Sequence, residues 1–144
     1  ILDTSADFVP DLLKYRPYLI KPNDEELAEW FGLINPSLEE IKDCGQKLLE
    51  KGAENVLVSL GEKGAILFTP TETIHVTAPK GEVVNTACAG DTLLATFVGS
   101  QLLGLSDEQA LIKAVAAGSS TAFRPGLTDF SDVPTLMQQI KRIS

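Results

Sequence analysis

The sequence is organised around the run Val83-Val84-Asn85-Thr86-Ala87-Cys88-Ala89-Gly90-Asp91-Thr92-Leu93-Leu94. Its apolar, β-branched start favours a strand. Small residues follow, and the apolar segment from Leu93 to Leu103 is compatible with a helix. A strand that gives way to a helix leaves several backbone N–H groups without acceptors at the helix start, and the helix dipole adds positive charge there. The run therefore predicts an anion site at a strand-to-helix junction.

Asp91 falls in the first turn of this predicted helix. An aspartate in that position is most often a cap, which stabilises a helix by about 1 kcal/mol. A carboxylate beside an anion site is also what phosphoryl transfer to a hydroxyl requires. The local residues leave both interpretations open.

Length and composition limit the class of protein. The chain has 144 residues, 44% of them hydrophobic and 22% charged, as expected for one globular domain. It contains no apolar run of membrane-spanning length and opens with no signal peptide, so we expect a cytoplasmic protein without a membrane partner. The net charge of −8 argues against a nucleic-acid partner. Cys44 and Cys88 are too few for a disulfide framework, and His75 is the only histidine, so we interpret it as structural or exposed.

Helix signals recur along the chain. Asn23 is expected to cap a helix over residues 24–31 that Gly32 ends. The boxes Ser37-x-x-Glu40 and Ser106-x-x-Gln109 open two further helices. The helix after Ser106 is rich in Ala, Gly and Ser, which permits close approach to a sheet or a flat ligand. Asp132 is expected to cap a last helix.

Strand signals alternate with these helices. Residues 18–21 form a short apolar strand, and the continuous apolar run 55–60 is typical of a strand buried on both faces. Residues 61–64 form a tight turn, residues 65–69 return as a hairpin strand, and residues 73–78 alternate as another strand. This order predicts an α/β protein with a mainly parallel sheet.

Three motifs occur in a fixed order: Lys21-Pro22-Asn23-Asp24-Glu25-Glu26, Ser59-Leu60-Gly61-Glu62-Lys63-Gly64, and Asn85-Thr86-Ala87-Cys88-Ala89-Gly90-Asp91-Thr92. Neither the P-loop nor the G-x-G-x-x-G fingerprint is present. In order and spacing the three motifs resemble the PfkB (ribokinase-like) family of carbohydrate kinases, most closely its sugar-phosphate branch, 1-phosphofructokinase and tagatose-6-phosphate kinase. The resemblance implies a ribokinase-like three-layer α/β sandwich with a mainly parallel central sheet.

The resemblance also implies residue roles. Asp91 matches the catalytic base, and the N–H groups of Cys88, Ala89 and Gly90 match the anion hole. Asn23 and Glu26 match the magnesium motif. The residues matched to ATP binding are Lys21, Asn23, Ser59, Leu60, Gly61, Glu62, Lys63, Gly64, Gly90 and Asp91. Cys88 replaces the first glycine of the usual G-A-G-D, which a backbone anion hole tolerates if the φ angle of Cys88 is negative.

The resemblance covers essentially the whole chain and matches the C-terminal half of such a kinase. Residues 1–144 would hold the ATP-binding and catalytic-base portion, whereas the sugar-binding part and the lid belong to the N-terminal half. The implied reaction uses ATP and Mg²⁺ to convert fructose 1-phosphate to fructose 1,6-bisphosphate. The alternatives are a tagatose-6-phosphate kinase or another PfkB sugar kinase. We expect the fragment alone to be inactive, and either to be poorly stable or to self-associate, for example as a homodimer. The other class of function is a non-catalytic nucleotide-binding module.

Overall fold

The computed structural model describes residues 1–7 and 9–143. In chain order its helices and strands are α1 (Val9–Leu12), α2 (Asp24–Phe31), α3 (Leu38–Glu50), β1 (Val56–Ser59), β2 (Ala65–Phe68), β3 (Thr73–Val76), α4 (Ala89–Leu102), α5 (Asp107–Ala122) and α6 (Val133–Met137). Short 3₁₀ turns at Leu13–Tyr15 and Gly61–Lys63 follow α1 and β1. In the described part of the chain, every helix is too short or too polar to cross a membrane.

The chain divides into two compact units. The first comprises Ile1–Leu60 and Ile66–Ile74, and it contains α1, α2, α3 and β1. The second comprises Gly61–Ala65 and His75–Ser144, and it contains α4, α5 and α6.

The sheet combines an antiparallel and a parallel part. Strands β1, β2 and β3 are neighbours in that order, and their short connections require antiparallel pairing because a parallel crossover needs a dozen or more residues. Isolated parallel bridges join Leu2 to Ile20 and Ile20 to Val56. The predicted strand at 18–21 therefore exists as single bridges, with Leu19 and Ile20 fully buried. Parallel neighbours lie on one side of β1 and antiparallel neighbours on the other.

Capping boxes set the start of each long helix in the first unit, as the sequence predicts. Asn23 caps α2 and Ser37 caps α3, each with a reciprocal bond from the glutamate three residues later. Helix α3 buries Ile41, Cys44 and Leu48 in a core that includes β1 and β2. Their spacing of three and four residues places these side chains on one face of α3.

Gly45 of α3 lies directly against the ring of Phe68. A Cβ atom at position 45 would come within 2.3 Å of that ring, so Gly45→Ala overpacks the core. We expect Gly45→Ala to lower the free energy of unfolding by about 2 kcal/mol, measured by chemical denaturation. The matched control is Gly99→Ala, because nothing lies within 4 Å of a Cβ atom at that α4 position. The control should stabilise by about 0.5–1 kcal/mol; an unchanged denaturation midpoint for Gly45→Ala would contradict the packing argument.

In the second unit, α4 and α5 pack against each other. A Cβ atom at Gly118 would lie 3.1 Å from the Ala89 carbonyl oxygen, so the small residues of α5 bring it close to the first turn of α4. Ser106 caps α5 with the predicted box to Gln109. The close approach that the composition of α5 predicts is thus made to another helix.

Three local predictions are wrong. Val83 and Val84 form no strand and are 56% and 55% exposed; the N–H groups of Val84 and Asn85 donate instead to the Ala122 carbonyl, at 2.8 and 3.1 Å. Asp132 precedes α6 but makes no capping bond, because its carboxylate contacts Ser120 and Arg124. The strand predicted at 73–78 forms as β3, but its burial does not alternate, since Ile74, His75 and Val76 are all buried.

Candidate active site

The predicted magnesium motif is also the capping box of α2. The N–H of Glu26 donates to Asn23 Oδ1 at 2.7 Å, and the N–H of Asn23 donates to Glu26 Oε2 at 3.0 Å. Among the described residues, no donor reaches the other carboxylate oxygen of Glu26. A parallel bridge pairs Asn23 with Ser59, so the first unit brings the end of β1 next to the start of α2.

Lys21 lies near this motif and is buried, with 8% of its surface exposed. Its ammonium group lies 3.5 Å from Asp3 Oδ1. The backbone of Lys21 also pairs with the residue before Asp3, since the N–H of Lys21 donates to the Leu2 carbonyl at 3.2 Å. The Lys21 side chain is therefore not exposed to solvent. Asp3 lies beside the predicted site and was not identified from the sequence.

The second motif forms the predicted tight turn. Gly61 and Gly64 both have positive φ angles, +58° and +96°, which favour glycine. At Gly64 a Cβ atom would lie 1.9 Å from the Val76 carbonyl oxygen, so no other residue fits. Glu62 and Lys63 are exposed, whereas Leu60 is buried in the core.

The anion motif presents free donors at the start of α4. Among residues 1–7 and 9–143, the N–H groups of Cys88, Gly90 and Asp91 have no acceptor. The N–H of Ala89 is engaged, because it donates to the Thr86 carbonyl at 3.2 Å. Two of the three predicted anion-hole donors are therefore available, together with that of Asp91.

Asp91 occupies the third position of α4 and is exposed. The residue in the N-cap position is Cys88, and no side chain makes a capping bond there. Within the part of the chain that the structure describes, the Asp91 carboxylate accepts no hydrogen bond. Its position therefore places a free carboxylate beside free N–H donors.

Cys88 does not have the negative φ angle that the sequence analysis required of it. Its φ angle is +66°, in the left-handed region, where a side chain costs about 1–2 kcal/mol. The turn keeps a conformation that suits glycine although cysteine occupies it. The thiol is exposed, in contrast to that of Cys44, whose pKa is raised by burial.

Cys88→Gly should relieve this strain. We expect the variant to raise the free energy of unfolding by about 0.5–1 kcal/mol, since the strain relieved exceeds the added flexibility of glycine in the unfolded chain. Cys88→Ala is the matched control, because it removes the thiol and keeps the strain. Equal stabilities of the two variants in urea denaturation would show that the strain is no larger than the cost of the added flexibility of glycine.

The predicted residues fall into two sets. In the first unit lie Lys21, Asn23, Glu26, Ser59 and Leu60. The second unit holds the glycine-bracketed turn Gly61–Gly64 and the anion motif with Asp91. Sequence reasoning assigned no role to Thr92, which lies in the third motif, and missed Thr121, although their hydroxyl groups bond to each other at 3.2 Å.

The described residues contain no group of three or more His, Cys, Asp or Glu side chains placed to hold a metal ion. Mg²⁺ commonly binds through one or two carboxylates and several retained waters. Glu26, with one carboxylate oxygen free of protein donors, fits that habit. It does not form a cage of protein ligands.

Comparison with known proteins identifies the family. The sequence model described as "pfkB family carbohydrate kinase" matches residues 1–135. The chain belongs to this family. The free N–H donors and the free Asp91 carboxylate thus lie in the third motif of a pfkB family chain.

Two individual relatives match nearly the whole chain. D-tagatose-1-phosphate kinase of Bacillus licheniformis is 52% identical over 142 residues, which cover 98% of this chain and 47% of the relative. 1-Phosphofructokinase of Bacillus subtilis is 38% identical over 141 residues, 98% of this chain and 46% of the relative. The chain therefore spans slightly less than half the length of the relatives that it matches.

Solved structures of the family have the same fold. Ribokinase of Arabidopsis thaliana, complexed with ribose and ATP, superposes with a TM-score of 0.82 at 32% identity, covering 95% of this chain and 46% of that one. Phosphofructokinase-2 of Escherichia coli, in complex with substrates and products, gives a TM-score of 0.85 at 25% identity, covering 94% and 45%. The predicted ribokinase-like α/β fold is confirmed.

Proposed function

We propose that this chain is the ATP-binding and catalytic-base portion of a kinase that phosphorylates a sugar phosphate. The observation that carries the proposal is the free Asp91 carboxylate beside the free N–H groups of Cys88 and Gly90, in a chain of the pfkB family. Such an arrangement combines a proton acceptor with donors for a phosphoryl group.

In the proposed reaction, a sugar hydroxyl oxygen forms a bond to the γ-phosphorus while the bond between that phosphorus and the β–γ bridging oxygen breaks. Asp91 takes the proton of the hydroxyl. A carboxylate is a weak base toward an alcohol, so its position counts for more than its basicity. The N–H groups at the start of α4 stabilise the negative charge of the phosphoryl group as it is transferred.

Mg²⁺ would be held through water by Glu26, with Asn23 fixing the orientation of the carboxylate through the capping box. Bound there, it neutralises charge on the ATP phosphates. Lys21 and the backbone of Ser59–Gly64 are the further proposed ATP contacts. The burial of Lys21 and its pairing with Asp3 support a fixed position for its positive charge.

The acceptor that we propose is a ketohexose 1-phosphate, whose 6-hydroxyl attacks the γ-phosphorus of ATP. The names of the two relatives above point to fructose 1-phosphate and tagatose 1-phosphate. Tagatose 6-phosphate, the alternative from sequence, has its phosphate at the other end of the sugar.

The test measures ADP release by the intact protein with MgATP and each of these three sugar phosphates in turn. We expect turnover that depends on a 1-phosphate acceptor. Reactions without acceptor and reactions with unphosphorylated fructose are the controls. Acceptor-independent ADP release, or none with any sugar, would refute the proposal.

A further inference from the structure

An unbroken chain of hydrogen bonds in the second unit ends on the anion motif. The N–H of Thr128 donates to Thr121 Oγ1 at 3.1 Å. The Thr121 hydroxyl donates to Thr92 Oγ1 at 3.2 Å, and the Thr92 hydroxyl donates to the Cys88 carbonyl at 2.9 Å. Thr121 is 1% exposed, so the middle of this series of hydrogen bonds is buried, whereas its last bond, from Thr92 to Cys88, lies at the surface.

The direction of the chain is fixed by its two ends. An N–H group can only donate and a carbonyl can only accept, whereas each hydroxyl has one proton. Because Thr92 uses its proton on Cys88, Thr121 must supply the proton of the middle bond. Removing the Thr121 hydroxyl therefore breaks two bonds at once and leaves the Thr128 N–H without its acceptor.

At the other end of this series of hydrogen bonds, Thr128 is held by a network that includes charged groups. The Thr128 hydroxyl pairs with Ser120 Oγ at 2.6 Å, and Ser120 donates to Asp132 Oδ1 at 2.5 Å. Arg124 contacts Asp132 and Asp129, each at 3.1 Å. Hydrogen bonds from Ser131, together with Arg124, lower the pKa of Asp129 to about 2. The loop that carries Thr128 is thus fixed by bonds to the end of α5.

At its Cys88 end, this series of hydrogen bonds holds a single peptide plane. The Cys88 carbonyl accepts from the N–H of Thr92 as well as from its hydroxyl, both at 2.9 Å. Because the peptide unit is planar, holding this carbonyl also fixes the N–H of Ala89 and the ψ angle of Cys88. Cys88 is strained in the left-handed region, so these bonds oppose its relaxation.

We propose that Thr121, acting through Thr92, is a positioning residue that holds the Cys88–Ala89 peptide in place. It thereby limits the motion of the backbone on either side of that peptide, which carries the free N–H groups of Cys88 and Gly90 proposed to receive a phosphoryl group. This inference rests on the proposed function, and it adds a residue that none of the three motifs contains.

The experiment compares Thr121→Val with Thr121→Ser in the intact protein. Valine keeps the shape and loses the hydroxyl, whereas serine keeps the hydroxyl. We expect Thr121→Val to lower kcat about tenfold with an unchanged KM for ATP, and Thr121→Ser to retain the wild-type kcat. Thr92→Val should match Thr121→Val, and the double variant should lose no more than either single one. Thr96 is a buried threonine of α4 that takes no part in this series of hydrogen bonds, so the same exchange, Thr96→Val, should leave kcat unchanged.

A second readout does not depend on turnover. In ¹⁵N-labelled protein, Thr121→Val should shift the amide resonances of Cys88, Ala89 and Gly90, and Thr121→Ser should leave them in place. If the wild type phosphorylates no sugar but these resonances move as expected, the proposed function fails and the positioning role stands. Wild-type kcat and unmoved resonances in Thr121→Val would overturn the inference, as would an equal loss of kcat in Thr96→Val.

Discussion

Replacing Asp91 with asparagine is expected to lower kcat of the intact protein about 10³-fold while MgATP binding stays nearly unchanged. Asparagine has the same shape as aspartate but cannot accept the proton of the sugar hydroxyl. The carboxylate is exposed and accepts no hydrogen bond from any described residue, so its replacement leaves no buried group unpaired. The free energy of unfolding should fall only by the small interaction of the carboxylate with the helix dipole, about 0.3–1 kcal/mol.

Initial-rate kinetics and calorimetric titration with MgATP would check this prediction together. The matched control is Asp107→Asn, the same exchange in the first turn of α5, which should retain kcat. If Asp91 were only a stabilising first-turn residue, both variants would lose a little stability and neither would lose turnover. That result would remove Asp91 from the catalytic role.

Local chemistry made the helix starts predictable. Asn23, Ser37 and Ser106 each cap the helix expected of them, because the cap and its reciprocal partner lie only three residues apart. Asp132 shows the limit of this reasoning. Its sequence context is that of a cap, yet Ser120 and Arg124 compete for its carboxylate from elsewhere in the fold.

Strand and backbone predictions failed where the outcome depends on a partner. Val83 and Val84 have strong β propensity, but their segment bonds to the end of α5 rather than to a neighbouring strand. The positive φ angle of Cys88 could not be expected from the residue type, since cysteine rarely adopts it.

The residues of the candidate site, too, were predictable only where they are close together in sequence. Its motifs are contiguous in sequence and were found there. Thr121 was not, because it lies 29 residues from the Thr92 hydroxyl that it contacts and nothing near it marks that role. The bond from Thr92 to the Cys88 carbonyl had a signal, since threonine often bonds to the carbonyl four residues earlier in a helix.

Glu26→Gln is the second variant with a large expected effect, and it separates metal binding from helix capping. Glutamine preserves the capping box, because its side chain can still accept the N–H of Asn23. It loses the negative charge that is proposed to hold hydrated Mg²⁺. We therefore expect the Mg²⁺ concentration for half-maximal activity to rise about tenfold or more, with nearly unchanged stability.

The chain supplies a matched control in Glu40, which occupies the same position in the capping box of α3. Hydrogen bonds from Ser37 lower the pKa of Glu40, so Glu40 carries its negative charge while it completes the cap of α3. Glu40→Gln loses the same charge from the first turn of a helix, and any general effect of that loss should appear in both variants. Titration of activity with Mg²⁺ at saturating ATP distinguishes them. A shift in Glu26→Gln alone would support a metal role for the motif, whereas equal curves for both variants would reduce Asn23 and Glu26 to a helix cap.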